Sequence, residues 1–264
     1  WLDTESILSQ SLNYNYETYG LLSQGGDEYL GYNSPNGQFV AKQIGNYKEN
    51  ISYSLFGELA QINFSYGNNS PYNIFTYTRD NLGRITKINY QTNAPSILEY
   101  SYDAVGRLQT YSVNGAVVRT YQYDSNGNRT SVTGSTSLTA TYNDQDQLLT
   151  SGNNQYSYNA HGELSSRLDN STGTATTYQY TSLGQLRSVT SSGNTVEYIL
   201  DGENKRVGRK LNGAVTNYWV YDASGRLAAE LNPDGTMKSR FIYGAQNNSP
   251  DYMIQGSTKY YFIK

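Results

Sequence analysis

The residues of this chain that could do chemistry are few in kind. One histidine, His161, stands in a sequence without cysteine. Acidic residues recur instead at intervals, as Asp80, Asp103, Asp124, Asp201 and Asp222, with an isolated Asp-x-Asp at Asp144-Gln145-Asp146. A single histidine without a thiol cannot assemble a histidine-based triad, nor the usual nitrogen and sulfur ligands of a zinc site. The run Asp124-Ser125-Asn126-Gly127-Asn128 has the oxygen-rich look of a calcium loop. An EF-hand loop, however, needs glycine at its sixth position and glutamate at its twelfth, and here glycine is fourth. No phosphate loop, nucleophile elbow or supported carboxylate pair is present. The residues read as a protein without catalysis, cofactor or metal of its own. A hydrolase acting through Asp144 or Asp146 is the weakest reading the sequence allows.

The spacing of the aspartates points to a different job. They sit inside a repeated phrase, Tyr-x-Tyr-Asp-x-x-Gly-Arg-Leu, clearest at Tyr100, Tyr102, Asp103, Gly106, Arg107 and Leu108. Further copies run through Tyr121, Tyr123, Asp124 and Gly127, and through Trp219, Tyr221, Asp222, Gly225 and Arg226. Looser ones hold Tyr77, Asp80, Gly83 and Arg84, then Tyr156, Tyr158 and Gly162, then Tyr178, Tyr180 and Gly184. With the second Tyr as register mark, the seven intervals from Arg79 to Tyr221 average about 20 residues, a period that marks a repeat array. Earlier copies fall at Tyr16 and Tyr53. The stretch from Gly20 to Asn50 is the least regular, with one weak copy near Tyr32. A fading copy at Tyr243 closes the series.

Asp followed three residues later by Gly fits a type I turn whose next residue is left-handed, closing a three-residue hairpin loop with a bulge. Asp caps the turn amides and Gly accepts positive φ. In that register Asp103 faces Arg107 as a charge pair at the hairpin mouth. Tyr102 pairs with Leu108 on the opposite face, and alternation puts Tyr100 beside Tyr102. Each unit so has an aromatic face and a polar face. His161 occupies a turn position in its copy, where siblings carry Val105, Asn126 or Leu183, and reads as a solvent-facing turn residue. A second turn signal lies halfway between phrases, at Asn114-Gly115, Gly152-Asn153, Gly173, Gly193-Asn194, Asn212-Gly213 and Pro233-Asp234-Gly235. Two turns per period predict two strands of about 6–8 residues and some 18–24 strands in all.

The fold class is therefore all-β: tandem antiparallel β-hairpin repeats in one continuous meander. Twist accumulates in so large a sheet, so it curls into a spiral shell or a barrel-like wall. Composition agrees. Hydrophobic residues make up 36% and charged residues 16%, low enough to approach disorder, but 28 Tyr supply large rings with polar tips for a half-buried sheet. The Tyr ladder reads as the core or wall of that sheet, the alternative being a sticky aromatic surface. One array spans 1–264, with divergent repeats over 1–75, regular repeats over 76–243, and the start of a truncated C-terminal region over 244–264. A net charge of −3 with no basic cluster excludes nucleic acid held by electrostatics. No apolar run approaches the ~20 residues of a membrane span. The chain starts at Trp1 without a leader, as expected of a piece cut from a longer parent.

These copies, above all those at Tyr77–Ile85, Tyr100–Leu108 and Tyr123–Arg129, make the chain resemble the YD-repeat, or Rhs-repeat, family. The resemblance covers residues 77–243 strongly and the earlier ones weakly. It implies a hollow β-shell. In bacterial Rhs effectors, wall-associated proteins and the C components of insecticidal toxin complexes, such a shell encloses a toxic C-terminal domain. In teneurins it is an extracellular adhesion scaffold. For this chain it implies a structural segment of a secreted or surface protein, of bacterial origin. Its partners would be the flanking parts of its parent, such as a C-terminal toxin, or copies of itself in a tube or fibre. The family's self-cleaving core motif and toxin would follow beyond Lys264, so their catalytic residues have no counterpart here.

Overall fold

A computed structural model describes residues 4–8, 10–33, 36–67, 73–244 and 248–262. The described residues form no helix and 26 strands of four to eight residues, joined by tight turns. The count exceeds the expected 18–24 because the irregular stretch before Asn50 holds ordinary hairpins, and because two short strands, Tyr252–Gln255 and Thr258–Tyr261, follow Tyr243. The weak copy at Tyr32 takes the same register as the others, opposite Phe39. Its loop is simply longer, which hides the phrase in the sequence.

The chain divides into two compact units, residues 1–120 with 241–253 and 259–264, and residues 121–240 with 254–258. In the first, each strand from Thr4–Ile7 to Leu108–Val113 pairs antiparallel with the next in sequence. In the second, the same rule holds from Arg129–Gly134 to the strand beginning at Met237. Turns closing the phrase line one rim of the meander, and the intervening turns line the other.

The two rims use different turn chemistry. Asn114-Gly115 and Asn212-Gly213 have positive φ at both residues, the type I′ turn whose twist matches that of the strands. The turn near Gly193 is centred one residue earlier than the sequence signal, on Ser192-Gly193, both with positive φ. Pro233-Asp234-Gly235 lies on the intervening rim, where the sequence puts it, but is built like a phrase turn. Asn232 N–H donates to Thr236 O at 2.9 Å and Gly235 N–H to Asn232 O at 2.9 Å, the bonding of the phrase turn.

The units differ in what they bury. The second is thin, with Val132, Ala140, Ala228 and Ala229 as its buried apolar residues among those described. The first buries Leu12, Tyr14, Leu30, Ile44, Tyr47, Ile62, Phe64, Ile242, Tyr243 and Tyr252. Phe64 meets Phe75 edge-on at 5.3 Å, and Tyr47 stacks on Tyr261 at 6.4 Å. The C-terminal segment thus packs on the early hairpins. Asp27 N–H donates to Tyr252 Oη at 3.1 Å, and Lys259 pairs with Asp27.

Under that segment lies a buried charged cluster. Lys42 Nζ is 3.2 Å from Glu49 Oε2 and 3.5 Å from Asp251 Oδ1, and all three side chains are at least nine-tenths buried. Asp251 Oδ2 also accepts Gly244 N–H at 2.8 Å. Glu28, wholly buried, lies so close to Gly244 that a Cβ there would fall on its carboxylate. Burial works to lower the Lys42 pKa, but Glu49, Asp251 and Glu28 outweigh it and hold the ammonium charged. Removing one partner of a buried ion pair leaves a charge stranded at low dielectric. Lys42→Met is therefore expected to destabilise the chain by about 3–5 kcal/mol in urea denaturation followed by tryptophan and tyrosine fluorescence. An effect below about 1 kcal/mol, the usual ceiling for an exposed pair, would contradict the arrangement.

Candidate functional site: the mouth of the repeat hairpin

The repeated phrase folds into one constellation, best seen at Asp103. Its N–H donates to Arg107 O at 2.8 Å and its carbonyl accepts Gly106 N–H at 3.0 Å, a type I turn extended by one left-handed residue. Gly106 takes that position with φ 91°. Oδ1 of Asp103 accepts the N–H groups of Val105 at 3.1 Å and Arg107 at 2.8 Å, and Oδ2 accepts Arg107 Nε at 2.7 Å. One carboxylate thus satisfies two turn amides and clamps the residue across the mouth. Beyond the mouth Tyr102 opposes Leu108 through a bulge, and Tyr100 opposes and stacks on Tyr111 at 5.6 Å.

The same frame holds Asp80 with Gly83 and Arg84, and Asp222 with Gly225 and Arg226, each Arg Nε within 2.8 Å of its carboxylate. Asp124 keeps the two amide bonds around Gly127 and takes Asn128 Nδ2 at 3.1 Å in place of arginine. Elsewhere both partners change together. Asn143 donates to Gln147 Oε1 at 2.7 Å, Asn159 to Glu163 Oε2 at 2.6 Å, and Asn232 to Thr236 Oγ1 at 3.0 Å. An acid faces a base or a neutral donor in these mouths, and an amide faces an acid or another neutral group. His161 sits at the exposed tip of the turn at Gly162, its N–H on Asn159 Oδ1 at 3.0 Å. Asp201 caps its turn in the usual way, but Lys205 turns aside to Glu203 at 3.0 Å.

A second contact ties many repeats to the one before. The Tyr102 hydroxyl donates to Ile85 O at 2.6 Å, the carbonyl just ahead of the previous bulge. Equivalent bonds run from Tyr32 to Leu22 O at 2.9 Å, Tyr53 to Phe39 O at 2.8 Å, Tyr142 to Arg129 O at 3.1 Å, Tyr158 to Leu148 O at 3.0 Å and Tyr221 to Arg206 O at 2.7 Å. A bulge disrupts the ladder locally, and the phenol supplies a donor there. Arg79, standing where Tyr is usual, sends Nη2 to Leu59 O at 3.4 Å, the same carbonyl position. Turns also touch along the rim. A Cβ on Gly83 would lie 2.9 Å from Glu58 Oε1, so glycine there serves close approach as well as positive φ.

The remaining phrase aromatics line the strands. Tyr77 packs on the cluster of Tyr47, Ile62 and Phe64. Tyr121 lies under Arg129 at 6.0 Å, and Trp219 is 6.5 Å from Tyr198, itself covered by Arg206 at 4.4 Å. Tyr156 opposes Arg167, Tyr178 opposes Val189, and Tyr180 opposes Leu186 next to the turn of Gly184. Tyr123, before Asp124, ends its strand in the usual place.

Proton affinities in the mouths are driven away from neutrality. Asp80 is held below the usual aspartate value chiefly by its Arg84 hydrogen bond. For Asp103 and Asp124 partial burial acts upward, and bonds from Arg107, Asn128 and the turn amides overcome it. Burial pushes the Tyr77, Tyr158 and Tyr180 phenols above 10.0. Such groups hold geometry rather than exchange protons.

Three features escaped sequence reasoning. Asp146 and Asn204 fill the glycine position with φ 59° and 62°, and Asp146 accepts Asn126 Nδ2 at 2.9 Å and Asn128 Nδ2 at 2.6 Å from the previous turn. The tolerance of Asp and Asn for left-handed backbone was the available signal. The tyrosine staple repeats at a fixed position and could have been inferred from Tyr outnumbering Phe 28 to 6. The Glu28–Lys42–Glu49–Asp251 cluster had no local signal, because what covers a sheet face is not written in that face.

Among the described residues, a succession of capped, bulged hairpins, many stapled by tyrosine, defines a β-hairpin-repeat protein. The family model for the teneurin YD-shell matches residues 2–264, and the chain belongs to that family. Mouse teneurin-3 is 30% identical over 181 residues, 66% of this chain and 6% of the relative. The tRNA nuclease WapA of Bacillus subtilis strain 168 is 26% identical over 223 residues, 76% of this chain and 9% of the relative. The chain therefore spans less than a tenth of the curated relatives' length. Among solved structures, the crystal structure of TcdB2–TccC3 overlays with TM-score 0.53 at 15% identity, over 88% of this chain and 17% of that one. That likeness concerns the fold.

Two outcomes follow from the mouth. Tyr102→Phe, Tyr158→Phe and Tyr221→Phe should each cost about 0.5–1.5 kcal/mol and add nearly independently, as measured by chemical denaturation. Equal stability of the triple variant and the parent would show the staple to be inert. The second concerns acid. The aspartates' contribution is complete above the ordinary value of 3.8 and is lost as pH falls through their lower folded-state values. Tm should be flat at mildly acidic pH and fall below about pH 4, less steeply in Asp80→Asn/Asp103→Asn, whose amides keep the turn bonds as Asn143 and Asn159 do.

Proposed function

We propose that the chain is a non-catalytic wall segment of a larger YD-repeat protein, and that the wall encloses or displays a C-terminal effector. The observation that carries the reading is the uniformity of the repeat: its acids, bases and phenols are mostly engaged in closing turns and joining neighbours. Membership of the YD-shell family supports a structural shell, and the match to a protein named as a tRNA nuclease favours an effector beyond the shell. The reading takes all 264 residues as one continuous array and the phrase residues as its structural site. Among the described residues no helix is long and apolar enough to cross a membrane. We place the protein outside the cell, secreted or at the surface, with the rest of its own polypeptide as partner.

The test is the full polypeptide that carries this segment, expressed intact and probed by limited proteolysis and by toxicity of its C-terminal part. The effector should be protease-resistant and silent in the intact shell. It should become accessible when several phrase turns are broken together, as by Gly83→Val, Gly106→Val and Gly127→Val, where left-handed backbone forbids a branched side chain. A C-terminal part equally accessible in both forms would refute enclosure.

A further inference from the structure

The tip of the phrase turn, the residue before the left-handed position, differs between the two units. In the second unit it is Asn126, Gln145, His161, Leu183, Glu203 and Ser224, polar but for one. In the first it is Tyr19, Phe56, Leu82 and Val105, with Leu55 beside Phe56, and the polar Asn36 only in the longer turn that ends at Gly37, between Tyr19 and Phe56. All five point to solvent: Leu55 fully, Phe56 and Tyr19 at 91% and 90%, Leu82 and Val105 at 77% and 75%. The turn does not require this. The same backbone with the same capping bonds carries Asn126 or Ser224 at that position. Nothing inside the first unit covers them, and exposing such a row costs solubility for no gain in folding.

The tips from Phe56 to Val105 form a contiguous row, and Asn36 separates them from Tyr19. Glu58, just past the Phe56 turn, reaches the next turn at Gly83, and Arg84 reaches the one after at Gly106 within 3.3 Å of where a Cβ would stand. Phe56, Leu82 and Val105 therefore follow one another along one rim, with Tyr19 further along the same rim. Beside Leu82 and Val105 the charges are closed in pairs, Asp80 with Arg84 and Asp103 with Arg107, both at 2.7 Å, and Glu58 beside Phe56 lies 4.0 Å from Arg79. Two identical rims can meet over that stretch with little like-charge repulsion, leaving the exposed Glu17 beside Tyr19 at its margin. The five side chains offer about 500–850 Å² of apolar surface, above the largest patch of a typical monomer. Facing a second copy, they would bury about 1,000–1,700 Å², which reaches the size of a specific interface.

We infer that this rim is an interface between two copies of the chain, joined isologously through Tyr19, Leu55, Phe56, Leu82 and Val105. The inference goes beyond the wall reading and is independent of it: a chain that fails to pair can still be a wall.

Sedimentation velocity of the 264-residue chain over two decades of concentration tests it. A monomer–dimer equilibrium is expected. In Leu55→Ser/Phe56→Asn/Leu82→Asn/Val105→Ser, which places residue types used by sibling turns, the dissociation constant should rise more than about 100-fold. Circular dichroism and Tm should show the variant folded. Leu183→Asn, the same change on the other unit, should leave association intact. A monomer at every concentration overturns the inference, whether the rim is idle or covered by another protein. So does a dimer indifferent to the rim variant, or one lost equally with Leu183→Asn.

Discussion

Everything in this molecule hangs on a side-chain oxygen that accepts two backbone N–H groups inside a five-residue turn. A chain of many short strands must reverse direction at every hairpin, and each reversal exposes amides that the ladder cannot satisfy. Asp103, Asp124 and Asn159 all meet that need with one oxygen and leave the rest of the side chain to grip across the mouth. The partner is free to vary as long as it complements the cap, which explains why arginine, asparagine, glutamine and glutamate all appear opposite it. The capping oxygen is the constant and the charge is an option.

A long antiparallel meander also has to resist peeling apart. Away from the C-terminal segment, hairpins lean mainly on their neighbours, so stability there is largely a sum of local terms. The second unit shows how little burial this takes, with mainly small side chains fully covered. Its repeats are joined instead by the tyrosine hydroxyl at the preceding bulge and by bonds such as Asn128 to Asp146. Tyrosine suits the task because its ring covers a half-exposed sheet while its tip reaches a carbonyl that phenylalanine would leave without that donor. The mild hydrophobicity of the sequence and its abundance of tyrosine are thus one fact seen twice.

How much could be read in advance follows from how local each feature is. The turn at Asp103–Arg107 was legible because Asp, Gly and the residue across from them lie within five positions. Alternation then fixed which residues share a face with Tyr102. The exact place of a turn was less legible: Ser192-Gly193 outcompeted Gly193-Asn194 because the pairing of Ser191 with Asn194 sets the register. Tyr32 was faint only because its loop is longer. Contacts across more than two hundred residues, such as Asp27 with Tyr252 and Lys42 with Asp251, had no signal in the sequence, because complementarity between distant segments has no period.

Repetition also changes where activity should be sought. A mouth that recurs around the array cannot be a unique site, and its carboxylates and phenols are shifted away from neutral exchange by the bonds that make them useful structurally. What distinguishes one region from another is departure from the repeat rule. Two departures lie in the first unit: buried charge at Lys42, Glu49 and Asp251, and apolar tips from Tyr19 to Val105. The first makes a C-terminal segment part of an early sheet, so hairpins that need only their neighbours acquire a long-range closure. The second turns a rim that elsewhere faces water into one that water disfavours. Both add nonlocal constraints to a fold whose repeats do not require them, which is how a one-dimensional array acquires a particular place in something larger.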